Sequence, residues 1–446
     1  MCPKYSSEFE QKVLAEAKRI LLLSTNPSSQ GNKFLYSWWS QLQEKIENNS
    51  TLFNSFEEAI HYAQQPSSGF DHRRPRNFVN KYGVTIQRIA FQRRRQLTET
   101  FPSLWNEVSE LEESDFSEAN SIIEIEGKRY SNIFLTHLYY YLSIIENLNI
   151  SQGKRHRLKV VEIGGGYGSL ARIFNIARPN TSYIIIDLPG SLCLAYIFLS
   201  ANFPEAKIKV AVNTEKFDFN KYDFVLVPTS CYEIILGESI DVAINTGSFQ
   251  EMTKESLDLW MELLQEKSDV SILYSFNYFL NDSFFHVGDS GDERMTYISP
   301  DLDPHWQLLK FSINPTIVTA DAELRNWLEL CVKRIPISSR QTPSDLITEA
   351  ENASHLCSIS QVGSNEYSKY AWLSILKHKR ALYLDLMLRG VEAFKLGCGV
   401  VNHLYYNEKE ALFGKANLNF ATNDKGVFPI YGEELFYRKL YESLDS

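Results

Sequence analysis

The chain has 446 residues, a hydrophobic fraction of 44%, a charged fraction of 22% and a formal net charge of -10. That length exceeds one ordinary core and predicts two or three domains of ordinary globular composition. The negative balance argues against a general nucleic-acid binder, because phosphate contacts demand a basic surface.

Six cysteines, at 2, 193, 231, 331, 357 and 398, lie too far apart to form a CxxC or a zinc cluster. A reduced compartment is expected, and no metal is assigned. The opening residues Met1 to Glu8 carry no apolar signal core. The longest apolar stretch, near Ile184 to Leu199, is interrupted by Asp187, Pro189 and Gly190, which excludes it as a membrane span. These features predict a cytoplasmic protein with no membrane span and no nucleic-acid partner.

Residues 1–150 read as a mostly helical region, a candidate substrate or dimer domain that leaves a homo-oligomer open. Phe9, Val13, Leu14 and Ala17 recur at helical spacing, as do the apolar residues from Ile133 to Leu148. The aromatics Tyr36, Trp38, Trp39, Tyr139, Tyr140 and Tyr141 are expected in the core, with a sugar-stacking pocket as the alternative. Arg73, Arg74, Arg76, Lys81, Arg88, Arg93, Arg94 and Arg95 precede an acidic stretch from Glu107 to Glu126. Two solvated faces that pair with each other are expected; an anion site is the sharper alternative. The polar run Ser151-Gln152-Gly153-Lys154-Arg155 marks a boundary.

From Leu158 the pattern alternates between strand and helix across a domain of residues 151–335. Strands are predicted at Leu158–Ile163, Tyr183–Asp187, Tyr222–Val227, Ile240–Asn245 and Val270–Tyr274. The first helix, through Leu170, Ile173, Phe174 and Ala177, stops at Pro179; the second, through Leu192, Ala195, Tyr196 and Leu199, stops near Pro204. A third carries Leu257, Trp260, Met261 and Leu264, with Thr253 as its N-cap. A strand at Pro315–Thr319 and a helix at Ala322–Leu330 are expected to complete the unit. Strands apolar on both faces belong in a parallel sheet covered by helices, so the fold class is α/β, doubly wound and mainly parallel. Residues 336–446 return to helical periodicity, as in Leu373, Leu376, Ala381 and Leu384.

The chemistry concentrates where the first two of these strands end. Glu162 is followed by Gly164, Gly165, Gly166, Tyr167 and Gly168, and the next strand ends in Asp187, with Leu188 after it. Glycines after a strand let the backbone approach a ligand, and the following helix start suits a carboxylate or phosphate. A dinucleotide fingerprint needs a third glycine where Ser169 stands. S-adenosylmethionine fits better: an acid before the loop attracts its ammonium, and Asp187 accepts both ribose hydroxyls. Adenine is expected near Leu188 and the segment holding Thr229 and Ser230.

Val161 to Gly168, Ile186-Asp187-Leu188-Pro189 and Asn245-Thr246-Gly247-Ser248-Phe249-Gln250-Glu251-Met252 together resemble a class I S-adenosylmethionine-dependent methyltransferase with a Rossmann-like sheet. More narrowly, the third segment is similar to the bacterial sugar O-methyltransferase family. The resemblance covers the middle third of the chain. It implies methyl transfer to a small-molecule or glycan hydroxyl, with Asn245, Thr246 and Gly247 near the cofactor and Ser248, Gln250, Asn277 and Tyr278 near the acceptor. Glu251 is the leading general-base candidate, against a role as a helix-end charge. His286 is the second, and Asp282, Asp289 and Asp292 are a metal alternative. His305-Trp306 is expected in the core, with a sugar-site wall as the alternative. A nicotinamide-dependent oxidoreductase and a catalytically silent scaffold remain as rivals.

Overall fold

The computed structural model of the chain describes residues 5–23, 52–63, 84–116, 122–148, 157–249, 254–278, 306–313 and 327–334, with isolated positions at 48, 77, 79, 252, 348, 352 and 355. Its contacts divide into two compact units, the first spanning Met1–Asn277 and the second containing residues 306–313 and 327–334.

The first unit begins with helix α1, Ser7–Leu22, whose start is capped by the Ser6 hydroxyl and whose buried stripe is Val13, Ala17, Ile20 and Leu21. Helices α2 (Phe56–Ala63), α3 (Ile86–Thr100) and α4 (Trp105–Val108) follow. A small antiparallel hairpin, β1 (Ile123–Ile125) with β2 (Lys128–Tyr130), interrupts the expected run of helix. Helix α5, Asn132–Asn147, is buried on almost every side and starts from a Ser131 cap. All three tyrosines at 139–141 lie in the core, with Tyr140 against Phe276 and Tyr141 against Phe174.

The sheet of this unit contains β3 (Leu158–Ile163), β4 (Thr181–Asp187), β5 (Ile208–Val210), β6 (Phe224–Pro228), β7 (Ser239–Thr246) and β8 (Asp269–Tyr278). They lie in the order β5-β6-β4-β3-β7-β8, every neighbouring pair parallel. Helices α6 (Ser169–Ala177), α7 (Pro189–Asn202) and α8 (Lys254–Glu262) follow β3, β4 and β7, and a single π turn extends α8 through Leu263–Lys267. Strand β4 is buried at every residue, which explains its unbroken apolar sequence. The chain winds outward from β3 through β4 and returns to β7 on the opposite side of β3. In sheets of this kind such a reversal is where a crevice forms, here at the carboxyl ends of β3 and β7. The fold is a doubly wound, Rossmann-like α/β sheet, and α1 packs on α7 within the same unit as the sheet.

The described part of the second unit is an antiparallel pair, β9 (Trp306–Ile313) and β10 (Trp327–Arg334). This corrects the helix expected at Ala322–Leu330, because Trp327 to Leu330 are strand. Leucines at 324, 328 and 330 mimic a helical stripe, but pairing with β9 overrides local preference. Trp306 is buried beneath the Arg334 guanidinium, as expected of a core residue. The strand expected at Pro315–Thr319, His305, the Thr253 cap, Tyr36, Trp38, Trp39 and the helical pattern of 336–446 lie outside the described residues.

The basic cluster is only partly described. Arg93 is buried and donates to the Asn132 carbonyl at 3.0 Å and Thr136 Oγ1 at 3.2 Å. Arg94 pairs with Glu126, and Arg95 pairs with Glu99 on its own helix. Of the three, Arg94 alone pairs with the acidic stretch as expected, while Arg73, Arg74, Arg76 and Lys81 lie outside the described residues.

Arg157, just ahead of β3, ties together the amino ends of β3, β4 and β6. Its guanidinium donates to the carbonyls of Asn220 (3.1 Å), Thr181 (3.0 Å) and Tyr222 (3.0 Å) and to Asp223 Oδ1 (2.6 Å). Arg157→Ala leaves these partly buried acceptors without a donor, and urea unfolding should show a loss of about 2–3 kcal/mol.

Candidate cofactor and active site

The glycine loop is shaped by two close approaches. Gly164 leaves β3 at φ +75° and donates its N–H to the Ile186 carbonyl at 2.8 Å. A Cβ at this position would lie 2.2 Å from Ser248 Oγ and 2.4 Å from Ser248 Cβ. Both the left-handed backbone and the contact with the β7 end therefore demand glycine. A Cβ on Gly165 would lie 2.8 Å from Glu162 Oε2, so Glu162 sits directly beneath the loop. Gly168 then starts α6. Tyr167, expected at the cofactor, is buried with its ring edge-on to Phe198 of α7.

Register explains the acid pair. Glu162 of β3 lies opposite Ile185 of β4, so Tyr183, Ile185 and Asp187 share its face of the sheet. The Tyr183 hydroxyl donates to Glu162 Oε2 at 2.9 Å. Burial pushes the Glu162 carboxyl up to about 7; the Tyr183 hydrogen bond pulls it back, and the Asp187 charge adds to the rise. Asp187 Oδ2 accepts from Gly166 N–H at 2.8 Å, and Oδ1 accepts from Leu188 N–H at 2.6 Å. Burial pushes Asp187 up to about 6, with both amides acting against it. The two acids thus hold the loop from below and from the side.

The end of β7 is tied to β3 by a buried amide network. Asn245 Nδ2 donates to the Ile163 carbonyl at 2.9 Å and to Ser248 Oγ at 2.6 Å. Ser248 Oγ in turn donates to the same carbonyl at 3.0 Å. Asn245 Oδ1 accepts from Phe249 N–H at 3.0 Å and from Asn277 Nδ2 at 3.0 Å, and Asn277 also reaches Ser275 Oγ at 2.8 Å. In this structure Asn245, Ser248 and Asn277 all direct polar atoms into the strut between strands. Thr246 and Gly247 are half-buried beside it, with the Gly247 N–H on the Phe276 carbonyl at 2.8 Å. Leu188 and Thr229 are buried, and Ser230 is half-buried in the 3-10 turn Thr229–Ile235 after β6. Gln250, Glu251, His286, the Tyr278 side chain and Asp282, Asp289 and Asp292 lie outside the described residues.

Two residues at the site were missed in the sequence. Tyr183 was detectable, since a spacing of two along β4 aligns it with Asp187. His137 of α5 was not. Its Nδ1 lies 2.7 Å from Ser169 Oγ, the first residue of α6, and only tertiary packing brings α5 there. Ser169 occupies the place of the third glycine in a dinucleotide loop, and its hydroxyl is already engaged by this imidazole.

No protein-family model matches the chain, and no curated protein matches it. Solved structures align with part of the chain. The pyocyanin biosynthetic protein PhzM aligns at TM-score 0.27 and 12% identity, over 45% of this chain and 57% of its own. The S-adenosylmethionine-dependent methyltransferase SibL, in its apo form, aligns at 0.28 and 13%, over 45% and 57%. Magnesium protoporphyrin IX methyltransferase ChlM from Synechocystis PCC 6803, with bound SAM, aligns at 0.29 and 13%, over 55% and 96%. The chain therefore matches little more than half the length of the first two.

Gly164→Ala should lower stability by about 2–4 kcal/mol in urea unfolding, and Ser248→Gly in the same chain should restore part of that loss, because it removes the clash but not the backbone strain. Glu162 supplies a pH test. Between the usual 4.5 and about 7 the folded state keeps a proton that the unfolded chain has released. Stability from this group is therefore full at acid pH and falls as pH rises through that window, by roughly 3 kcal/mol. Glu162→Gln should gain on the wild type steadily from pH 4.5 to 7 in denaturation series.

Proposed function

We propose that this chain is an S-adenosylmethionine-dependent O-methyltransferase whose acceptor is a hydroxyl of a sugar or glycan precursor. One observation carries the cofactor reading. Two buried acids, Glu162 and Asp187, embrace the glycine loop, one under Gly165 and one on the N–H of Gly166. Such a pair favours a cationic amino acid joined to a ribose and disfavours a pyrophosphate. The site's residues fit that group: loop amides at a helix start for its carboxylate, acids for its ammonium and diol, and Leu188 with Thr229 and Ser230 for its base.

When bound, S-adenosylmethionine supplies an electrophilic methyl on sulfur. The protein's part is to align an acceptor oxygen in line with that carbon and take its proton as the O–C bond forms and the S–C bond breaks. Glu251, five residues after the last residue of β7 in the sequence, is assigned as the base, with His286 as the second candidate. Gln250 and Tyr278 are assigned to the acceptor side. Asn245, Ser248 and Asn277 fix the position of the β7 end against Ile163, so Thr246 and Gly247 border the crevice at a set height. The sugar acceptor rests on the resemblance of Asn245 to Met252.

Calorimetry with S-adenosylhomocysteine and with NAD separates the rivals. The homocysteine analogue should bind, and Asp187→Ala should weaken it tenfold or more. Tight NAD binding without the analogue would end this reading in favour of an oxidoreductase. A methyl-donor assay across nucleotide sugars and glycan fragments, read as a mass gain of one methyl, then tests the acceptor. Binding of the analogue with no methylated product from any hydroxyl compound would favour a silent scaffold.

A further inference from the structure

Ser191 lies in the first turn of α7, one helical turn beyond Asp187. It is 2% exposed, and its Oγ has no hydrogen-bond partner. A buried hydroxyl in that state has given up water and gained nothing in exchange, an arrangement that folded proteins rarely keep. The start of α7 offers it little: Leu188 in the cap position has no side-chain acceptor, and Pro189 begins the helix without an N–H.

We propose that Ser191 is a positioning residue for Asp187, its buried hydroxyl dipole supporting the charged carboxylate that a nucleoside diol needs. This rests on the assignment of Asp187 to the ribose. The Gly166 and Leu188 amides take one lone pair on each carboxylate oxygen, leaving one on each. A vicinal diol needs both of those, and needs the group ionised, because a protonated carboxyl has lost one acceptor position. Burial works against ionisation; after the two amides, the Ser191 hydroxyl is the side chain that acts in its favour. It achieves this from beside the carboxylate, short of a formed hydrogen bond. The other groups around Asp187 do not substitute. Glu162, across on β3 and held by Tyr183, carries the same sign of charge. Pro228, the register partner on β6, has no charge or donor.

The test is the binding of S-adenosylhomocysteine, and of its 2′,3′-dideoxy counterpart, from pH 5 to 8 by calorimetry. For the wild type, affinity should fall as pH drops through about 6, where Asp187 takes up its proton. Ser191→Ala should move that fall upward by roughly one pH unit, weakening binding about five-fold at pH 6 and about two-fold at pH 7. The dideoxy compound should show no such change, and Ser191→Thr should keep the wild-type profile. Ligand-free Ser191→Ala should melt no lower than the wild type at pH 5, where Asp187 is largely protonated in both and no hydrogen bond is lost. An unshifted profile, or an equal loss for both compounds, overturns the assignment. Failure of the wild type to bind the homocysteine compound sinks the methyl-donor reading instead; the same series is then scored with adenosine and NAD, which carry the same diol, and no binding of either overturns the Ser191 assignment too.

Discussion

A carboxylate at the tip of a fully buried strand must find donors or take up a proton. Asp187 is in that position, and the donors it finds are the N–H groups of Leu188 and Gly166. The second of these bonds is the one on which the site depends. It draws the glycine loop from the end of β3 across to β4, and so decides where the loop amides point. The left-handed backbone at Gly164 and the close fit of Gly165 over Glu162 follow from holding the loop in that place.

The opposite wall is set by a different kind of interaction. Asn245, Ser248 and Asn277 are neutral and buried, and they share donors and acceptors around the Ile163 carbonyl. A network of this type is rigid because an unsatisfied member would be costly in a dry interior. It holds β7 against β3 at the point where the strand order reverses, which would otherwise be the easiest place for the sheet to part. One wall is thus charged and titratable, the other neutral and fixed. The crevice between them suits a ligand that brings its own positive charge.

The helices ahead of the sheet take part in this construction. α5 covers the sheet with Tyr140 against Phe276, and its His137 contacts the start of α6. The helices before residue 150 and the sheet belong to one compact unit. A change in α5 therefore reaches the start of α6 through His137 and the middle of α6 through Tyr141 against Phe174.

Much of the centre was legible in the amino-acid sequence. The β3–loop–α6–β4 segment, both acids and the parallel character of the sheet follow from apolar runs, glycine spacing and the position of prolines, all of which act over a few residues. What escaped depends on partners distant in the chain. The three-residue strands β1, β2 and β5 are too short to show a period, and β10 resembles a helix until β9 pairs with it. Among site residues, His137 and Ser191 carry no local signal, since a histidine on a helix and a serine in a first turn are ordinary. The sequence by itself determined where a loop, two acids and a sheet must occur, because local geometry and burial preference are written residue by residue. Only the tertiary structure decided which of the remaining polar groups meet them, because contact between distant segments depends on how the layers pack.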